Sequence, residues 1–420
     1  MTTAPLARRL GTGDAVVIGL GSMIGAGVFS AFAPAARAAG SALLIGLAIA
    51  GGIAYCNAVA SAQLAAQYPT SGGTYVYGRE RLGEWWGFVA GWGFVIGKTA
   101  SCAAMALTFA SYAVGGPLWV DRLVAVSAVI VLTATNYQGI SRTAEVARVL
   151  VGVSILALLV VVLAIATSGH AHSGVGAARF GVYGVLQAGG LLFFAFAGYA
   201  RIATLGEEVK NPRETIPRAV PIALGIALAL YLAVGVAALV GAGPEALARS
   251  VRPLATAVDE AGAAWALPVV RIGAAVASLG ALLALIAGVG RTTLAMARHS
   301  DLPAWLSSVH PRHRVPDHAE LLIGAAVVVL VLTTDLRNAI GFSSFGVLLY
   351  YAIANASAYT QQKGWRRWPR GLNVVGLVGC LVLVAALPWS AIAAGTGVIA
   401  AGLLGRALAL RRRRVQAQAG

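Results

Sequence analysis

GSMIGAGVF, Gly21 to Phe29, places three glycines within seven residues near the middle of the first long apolar segment. Glycine loosens a helix at such a point, and a break exposes backbone N–H and C=O groups. In lipid each unsatisfied group costs several kcal/mol. A break at membrane depth therefore persists only where protein buries it or where it lines a cavity holding water or a ligand. The first segment thus reads as part of a binding site inside a membrane.

The composition agrees with a membrane setting. Hydrophobic residues make up 59% of the 420-residue chain and charged residues 11%, and mean hydropathy is +0.80. Segments of about twenty mainly apolar residues, the length that crosses a bilayer as helix, fall at 14–36, 41–66, 85–113, 123–139, 146–168, 183–205, 218–241, 266–296, 319–334, 339–360, 371–387 and 389–409. The pattern predicts an all-α polytopic protein with about twelve transmembrane helices in one membrane domain spanning 1–420. No long polar stretch divides it.

The net charge of +16 would suit nucleic acid in a soluble protein, but here the cations gather in alternate loops. With a cytoplasmic N-terminus, about 22 Lys and Arg fall on the inner side and about seven on the outer, the asymmetry of the positive-inside rule. Both termini are then cytoplasmic, and Arg411 to Arg414 reads as a stop-transfer and lipid-headgroup anchor, not a nucleic-acid patch. No cleavable leader is evident at the N-terminus. Cys56, Cys102 and Cys380 lie in apolar segments without CxxC spacing and read as buried packing residues. The six histidines read as interfacial, not metal ligands. The aromatic-rich loop AAQYPTSGGTYVYGRERLGEWWG suits the membrane interface. RHSDLPAWLSSVHPRHRVPDHA suits a short interfacial helix followed by extended chain.

A second interruption follows about five segments later, where Phe193, Phe194 and Phe196 run into Ala197 and Gly198. Single glycines in membrane helices often serve close packing. Paired interruptions at corresponding positions of two halves point instead to a transporter built from inverted repeats, with its site near the bilayer midplane.

At these residues the chain resembles the amino acid–polyamine–organocation superfamily, close to bacterial amino acid permeases and the cationic-amino-acid-transporter-like branch. The resemblance rests on GSMIGAGVF, YPTSGGTYVYGRERLGEWWGFVAGW, FFAFAGYARIATLGEEVKNPRETIPRA and RTTLAMARHSDLPAWL, in that order. It implies the five-plus-five inverted repeat, with residues 12–168 as the first repeat, 180–360 as the second and 361–410 as two peripheral helices, the first and sixth helices being unwound. It also implies a substrate site of Ser22, Met23, Ile24, Gly25, Ala26 and Gly27 on one side. Phe193, Phe194, Ala195, Phe196, Ala197 and Gly198 form the other. A helix N-terminus offers N–H groups and partial positive charge to a carboxylate, and a C-terminus offers carbonyls to an ammonium. An amino acid zwitterion fits such a pair of ends. Phe194 takes the family's aromatic-gate position, where it serves either as gate or as packing. Glu207 and Glu208 suit an inner gate closed through basic partners.

Ionisable residues at membrane depth are functional candidates because their burial is costly. Lys98 lies about a dozen residues into the third segment. It serves either proton coupling or substrate contact, or a structural role on the carbonyls of a broken helix. Some proton-coupled members of the superfamily carry such a lysine on the fifth span, where this chain has none. Arg201 follows the second break, and Ala200 stands where many relatives have an acid. No carboxylate lies in the middle third of a segment, so a cationic side chain would go unpaired. A neutral amino acid is the expected cargo, with an anionic one or another carboxylate second. Within GAAVASLGALLALIAGVG of the eighth segment, Ser278 is the only hydroxyl available to a sodium ion, which favours a proton-driven symporter or an exchanger. The sequence carries neither the metal-binding acid clusters of a membrane enzyme nor a repeated carbonyl filter of a channel, and no cofactor is expected. The expected setting is the plasma membrane, with amino acid, proton and lipid as partners.

Overall fold

The computed structural model describes residues 10–69, 72–139, 144–169, 181–203 and 209–419. Helices dominate these residues: α1 (Thr12–Met23), α2 (Ala26–Ser30), α3 (Phe32–Ala39), α4 (Leu43–Gln67), α5 (Thr74–Leu82), α6 (Glu84–Ala113), α7 (Leu118–Tyr137), α8 (Ala144–Thr167), α9 (Val182–Phe196), α10 (Ala200–Ala203), α11 (Pro212–Arg249), α12 (Pro253–Glu260), α13 (Leu267–Arg298), α14 (Asp317–Thr333), α15 (Leu336–Tyr359), α16 (Arg370–Ala386) and α17 (Trp389–Ala419). Extended pairing among the described residues is limited to one isolated parallel bridge between Leu10 and Val209. Helix lies under each apolar segment read from the sequence. Nine helical stretches among the described residues are long and apolar enough to cross a membrane, and α9 and α16 are shorter apolar helices. The protein is a polytopic helical membrane protein.

Burial orders the bundle. Inside α6 and α15, 78% and 83% of the most apolar window is buried, against 22% in α7 and 17% in α17. The first pair forms the centre and the second pair the rim. Small residues bring the central pair together. A Cβ on Gly97 would stand 3.0 Å from the Ser343 carbonyl and 3.2 Å from the Gly346 Cα, so the two backbones nearly touch, as small-residue interfaces in membranes allow. Rim helices turn Val131, Leu156, Leu163 and Val378 outward, all more than half exposed. Such an apolar exterior is stable in lipid and would be an aggregation surface in water.

Two discontinuities fall where the sequence places them. α1 stops at Met23, and after Ile24 and Gly25 helix resumes at Ala26. From there α2 and α3 run on nearly continuously, because Ala31 keeps helical dihedrals and its N–H still reaches the Gly27 carbonyl. α9 ends at Phe196 and α10 begins at Ala200. α11 is kinked at Gly243, whose φ of 71° lies in the left-handed region that glycine tolerates.

The aromatics of the loop before α6 divide between the protein interior and its surface. Tyr75 and Tyr77 of α5 are fully buried, whereas Trp85 and Trp86 at the start of α6 are exposed. The difference lies in α5 itself, which packs against α6 and α15 and gives the Tyr75 hydroxyl a buried acceptor in Asp301 at 2.8 Å. The three cysteines are free and buried, as expected.

Candidate site at two facing helix breaks

At the first break the Ile24 N–H still bonds the Leu20 carbonyl at 2.7 Å, and the Gly25 N–H turns back to the Met23 carbonyl at 2.8 Å. α2 has no side-chain cap, so its first-turn N–H groups are open to a ligand. Gly25 faces α13 and α6: a Cβ there would stand 2.9 Å from that of Ala281 and 3.9 Å from the methyl carbon of Met105. Ser22 is turned back on its own helix, its Oγ donating to the Ile18 carbonyl at 3.0 Å.

At the second break the helix loosens before it stops. The Ala197 N–H reaches the Phe194 carbonyl at 3.4 Å and the Tyr199 N–H reaches the Phe196 carbonyl at 3.5 Å, long bonds that leave both oxygens able to take a stronger donor. Two other carbonyls are already engaged. Ala195 accepts from the Tyr231 hydroxyl at 3.1 Å. Ala197 accepts from Lys98 Nζ at 3.0 Å and from the Tyr351 hydroxyl at 3.3 Å.

Glycine lets the breaks meet. Gly198 rests on the Ser22–Met23 peptide with no space for a Cβ, and Gly27 approaches Ala195 so closely that a Cβ would stand 2.6 Å from its Cα. Tyr231 of α11 joins them, its hydroxyl lying 2.7 Å from the Met23 carbonyl and 3.1 Å from that of Ala195. Phe196 packs on Tyr231 with ring centroids 5.1 Å apart, and Phe193 meets Tyr351 edge-on at 5.8 Å. Phe194 is buried. The residues anticipated for the two sides therefore come together.

Other anticipated residues divide. Lys98 reaches the second break from α6. Ser278 is fully buried on α13, and its Oγ has no hydrogen-bond partner among the described residues. Arg201 is half-buried on α10, its N–H bonded to the Gly198 carbonyl at 3.0 Å. Glu207 and Glu208 lie outside the described residues. Just beyond them, the Lys210 N–H bonds the Leu10 carbonyl at 2.8 Å, so the chain entering α1 is tied to the chain leaving the second break. Tyr231, Tyr351 and Met105 escaped the sequence reading. A tyrosine within the apolar run LALYLAV was the available signal, since a buried phenol needs a partner.

The buried carboxylates among the described residues, Asp301, Asp317 and Glu320, stand away from the breaks. Glu320 adjoins Gly290 of α13, nine residues beyond Ala281 and about 14 Å along the helix. Asp301 anchors one end of the bundle: it accepts from Tyr75 at 2.8 Å, from Arg79 at 2.8 Å and from Arg406 at 2.7 Å. Burial, and then the Asp301 carboxylate, push the Tyr75 phenol above its ordinary value, so it stays a donor. Arg406 of α17 also lies over the Trp85 ring at 4.4 Å.

Comparison with known proteins identifies the family. The family model described as amino acid permease matches residues 10–405. An uncharacterized transporter of Mycobacterium tuberculosis is 59% identical over 95% of this chain and 90% of its own length. The branched-chain amino acid permease BcaP of Bacillus subtilis is 27% identical over 91% of this chain and 89% of its own. Cationic amino acid transporter 4, vacuolar, of Arabidopsis thaliana is 30% identical over 82% of this chain and 62% of its own. A chain with two facing helix breaks and a family match across nearly its whole length belongs to the amino acid permeases of the amino acid–polyamine–organocation superfamily.

Proposed function

We propose that this amino acid transporter is a secondary active permease that carries neutral amino acids in symport with protons by alternating access. One observation carries the reading: Gly198 stacks on the Ser22–Met23 peptide, which sets the open N–H groups of α2 beside the loosened carbonyls of α9. The substrate carboxylate binds at Gly25 to Gly27, with the amino group at the Phe194 and Phe196 carbonyls, and Phe194 closes over it. The side chain points toward Met105, Ala277 and Ala281, an apolar wall without a carboxylate, which suits an uncharged residue. The branched-chain permease relative has such a substrate in its name. Lys98 is the proton-coupling residue, because it is the ammonium that holds a carbonyl of the break itself.

In this reading the chain makes twelve passages, related as five plus five with two peripheral helices. Its plasma-membrane orientation puts the end carrying α5, Asp301 and Arg406 in the cytoplasm. Glu207 and Glu208 belong to the inner gate, and Arg201 and Ser278 are the further ion-coupling candidates beside Lys98.

The test is uptake of labelled amino acids into proteoliposomes with and without an inward proton gradient. Saturable uptake of neutral amino acids, accelerated by the gradient and competed by other neutral ones, is the expected result. Flux that does not saturate or does not discriminate side chains overturns the assignment.

A further inference from the structure

A line of buried polar side chains leaves the second break between α4, α15 and α16. It starts at Tyr351, whose hydroxyl shares the Ala197 carbonyl with Lys98. One turn along α15, Asn355 Nδ2 donates to the Tyr351 carbonyl at 2.9 Å and to Asn57 Oδ1 of α4 at 2.6 Å. Cys380 of α16 donates to the same Asn57 oxygen at 3.4 Å. Gly376 abuts the Asn355 amide with no space for a Cβ. Ser61 stands one turn beyond Asn57, and Asn373 one turn beyond Gly376, on the same helix faces. Gln361 then donates to the Gln63 carbonyl at 3.3 Å and to Gln67 at 2.7 Å. There the line reaches half-buried Gln67 and exposed Arg367, about 15 Å along α4 from Asn57.

This line is poorly paired within the protein. Among the described residues, Ser61 Oγ, Gln63 Nε2, Asn355 Oδ1, Gln361 Oε1 and both amide atoms of Asn373 are buried without a hydrogen-bond partner. Each such group destabilises the fold if left alone. Polar atoms spaced along one seam are what a row of bound waters requires, since each water needs two to four polar neighbours. Apolar packing of the three helices needs none of these side chains.

We propose that α4, α15 and α16 enclose a chain of bound water running from the second break to the surface at Gln67 and Arg367, and that it carries protons to and from Lys98. The conduction half rests on the proton-coupled reading above. Lys98 hands an ammonium proton to the water at Tyr351 and becomes an amine. Each water passes a proton on as it receives one, and the last releases it at Gln67; recharging runs in reverse. The titratable groups around this path are Tyr199, Tyr351, Cys380 and Cys56, with Cys102 beside Lys98 at one end and Arg367 at the other.

Two measurements on the full-length protein test it. In the first, X-ray-generated hydroxyl radicals, which form at bound water, oxidise Cys380 despite its burial, with exposed Trp389 as the reference. An unoxidised Cys380 beside an oxidised Trp389 means a dry seam and ends the proposal. In the second, Asn355→Leu and the milder Ser61→Ala are compared with wild type in proteoliposomes, using a labelled neutral amino acid that the wild type takes up. Cutting the water chain slows gradient-driven uptake about fivefold or more, while exchange of the amino acid at zero gradient stays within about twofold. Wild-type rates of driven uptake in both variants, or equal loss of both activities, overturn the conduction half. A wild type that ignores the gradient removes proton coupling, and conduction with it, while the Cys380 result still decides hydration.

Discussion

Gly198 lies directly against the Ser22 carbonyl, leaving no room for a Cβ between the two helix breaks. The two interruptions, far apart in sequence, thereby form one structural unit, and substitutions there act on both.

Gly198→Ala forces the breaks apart. Substrate-induced thermal stabilisation and uptake are expected to vanish, and Gly25→Leu, which runs into Ala281, does the same while the folded protein remains extractable. Gly52→Ala is the control, since nothing lies within 4 Å of a Cβ there. Normal binding in Gly25→Leu removes the first break from the site.

Tyr231→Phe keeps the ring on Phe196 but deletes the hydroxyl that serves Met23 and Ala195. The cost is about 1–2 kcal/mol, a roughly tenfold loss of affinity. Binding titration of the variant checks it, and unchanged affinity means that the bridge does not order the site.

Lys98→Met removes the ammonium from the Ala197 carbonyl. Transport by the variant is expected to lose its dependence on pH while substrate exchange persists. A pH profile identical to that of wild type would leave Lys98 a purely structural donor.

Asp301→Asn strips the charge from a carboxylate that pairs with both Arg79 and Arg406, whose side chain is 3% exposed. Breaking such a buried pair costs about 3–5 kcal/mol, because the partner charges stay buried. A large fall in melting temperature in detergent is expected, with α17 more open to protease than in wild type. An unchanged melting temperature shows that solvent already screens the cluster.

Local patterns reveal much of this fold. GSMIGAGVF, with three glycines, and FFAFAG, with one after an aromatic cluster, announce breaks because an interruption in an apolar run leaves backbone groups that only a site can tolerate. Helix lengths follow from apolar run lengths, which is why α4, α6 and α13 lie close to where the sequence places them. Tyr75 and Tyr77 mislead because an aromatic beside charges suits an interface and a buried hydroxyl pair equally; the choice depends on Asp301, more than 220 residues away.

By itself, then, the sequence determined that the chain is helical, lies in a membrane and is broken twice, since these follow from hydropathy and glycine placement along single segments. Only the tertiary structure decided what the breaks touch. Tyr231 joining Met23 to Ala195, Lys98 and Tyr351 sharing Ala197, and the polar seam of Asn57 and Asn355 all pair residues from distant segments. Hydrogen bonds of that kind depend on which helix faces meet, and helix packing sets those faces after each segment has already formed.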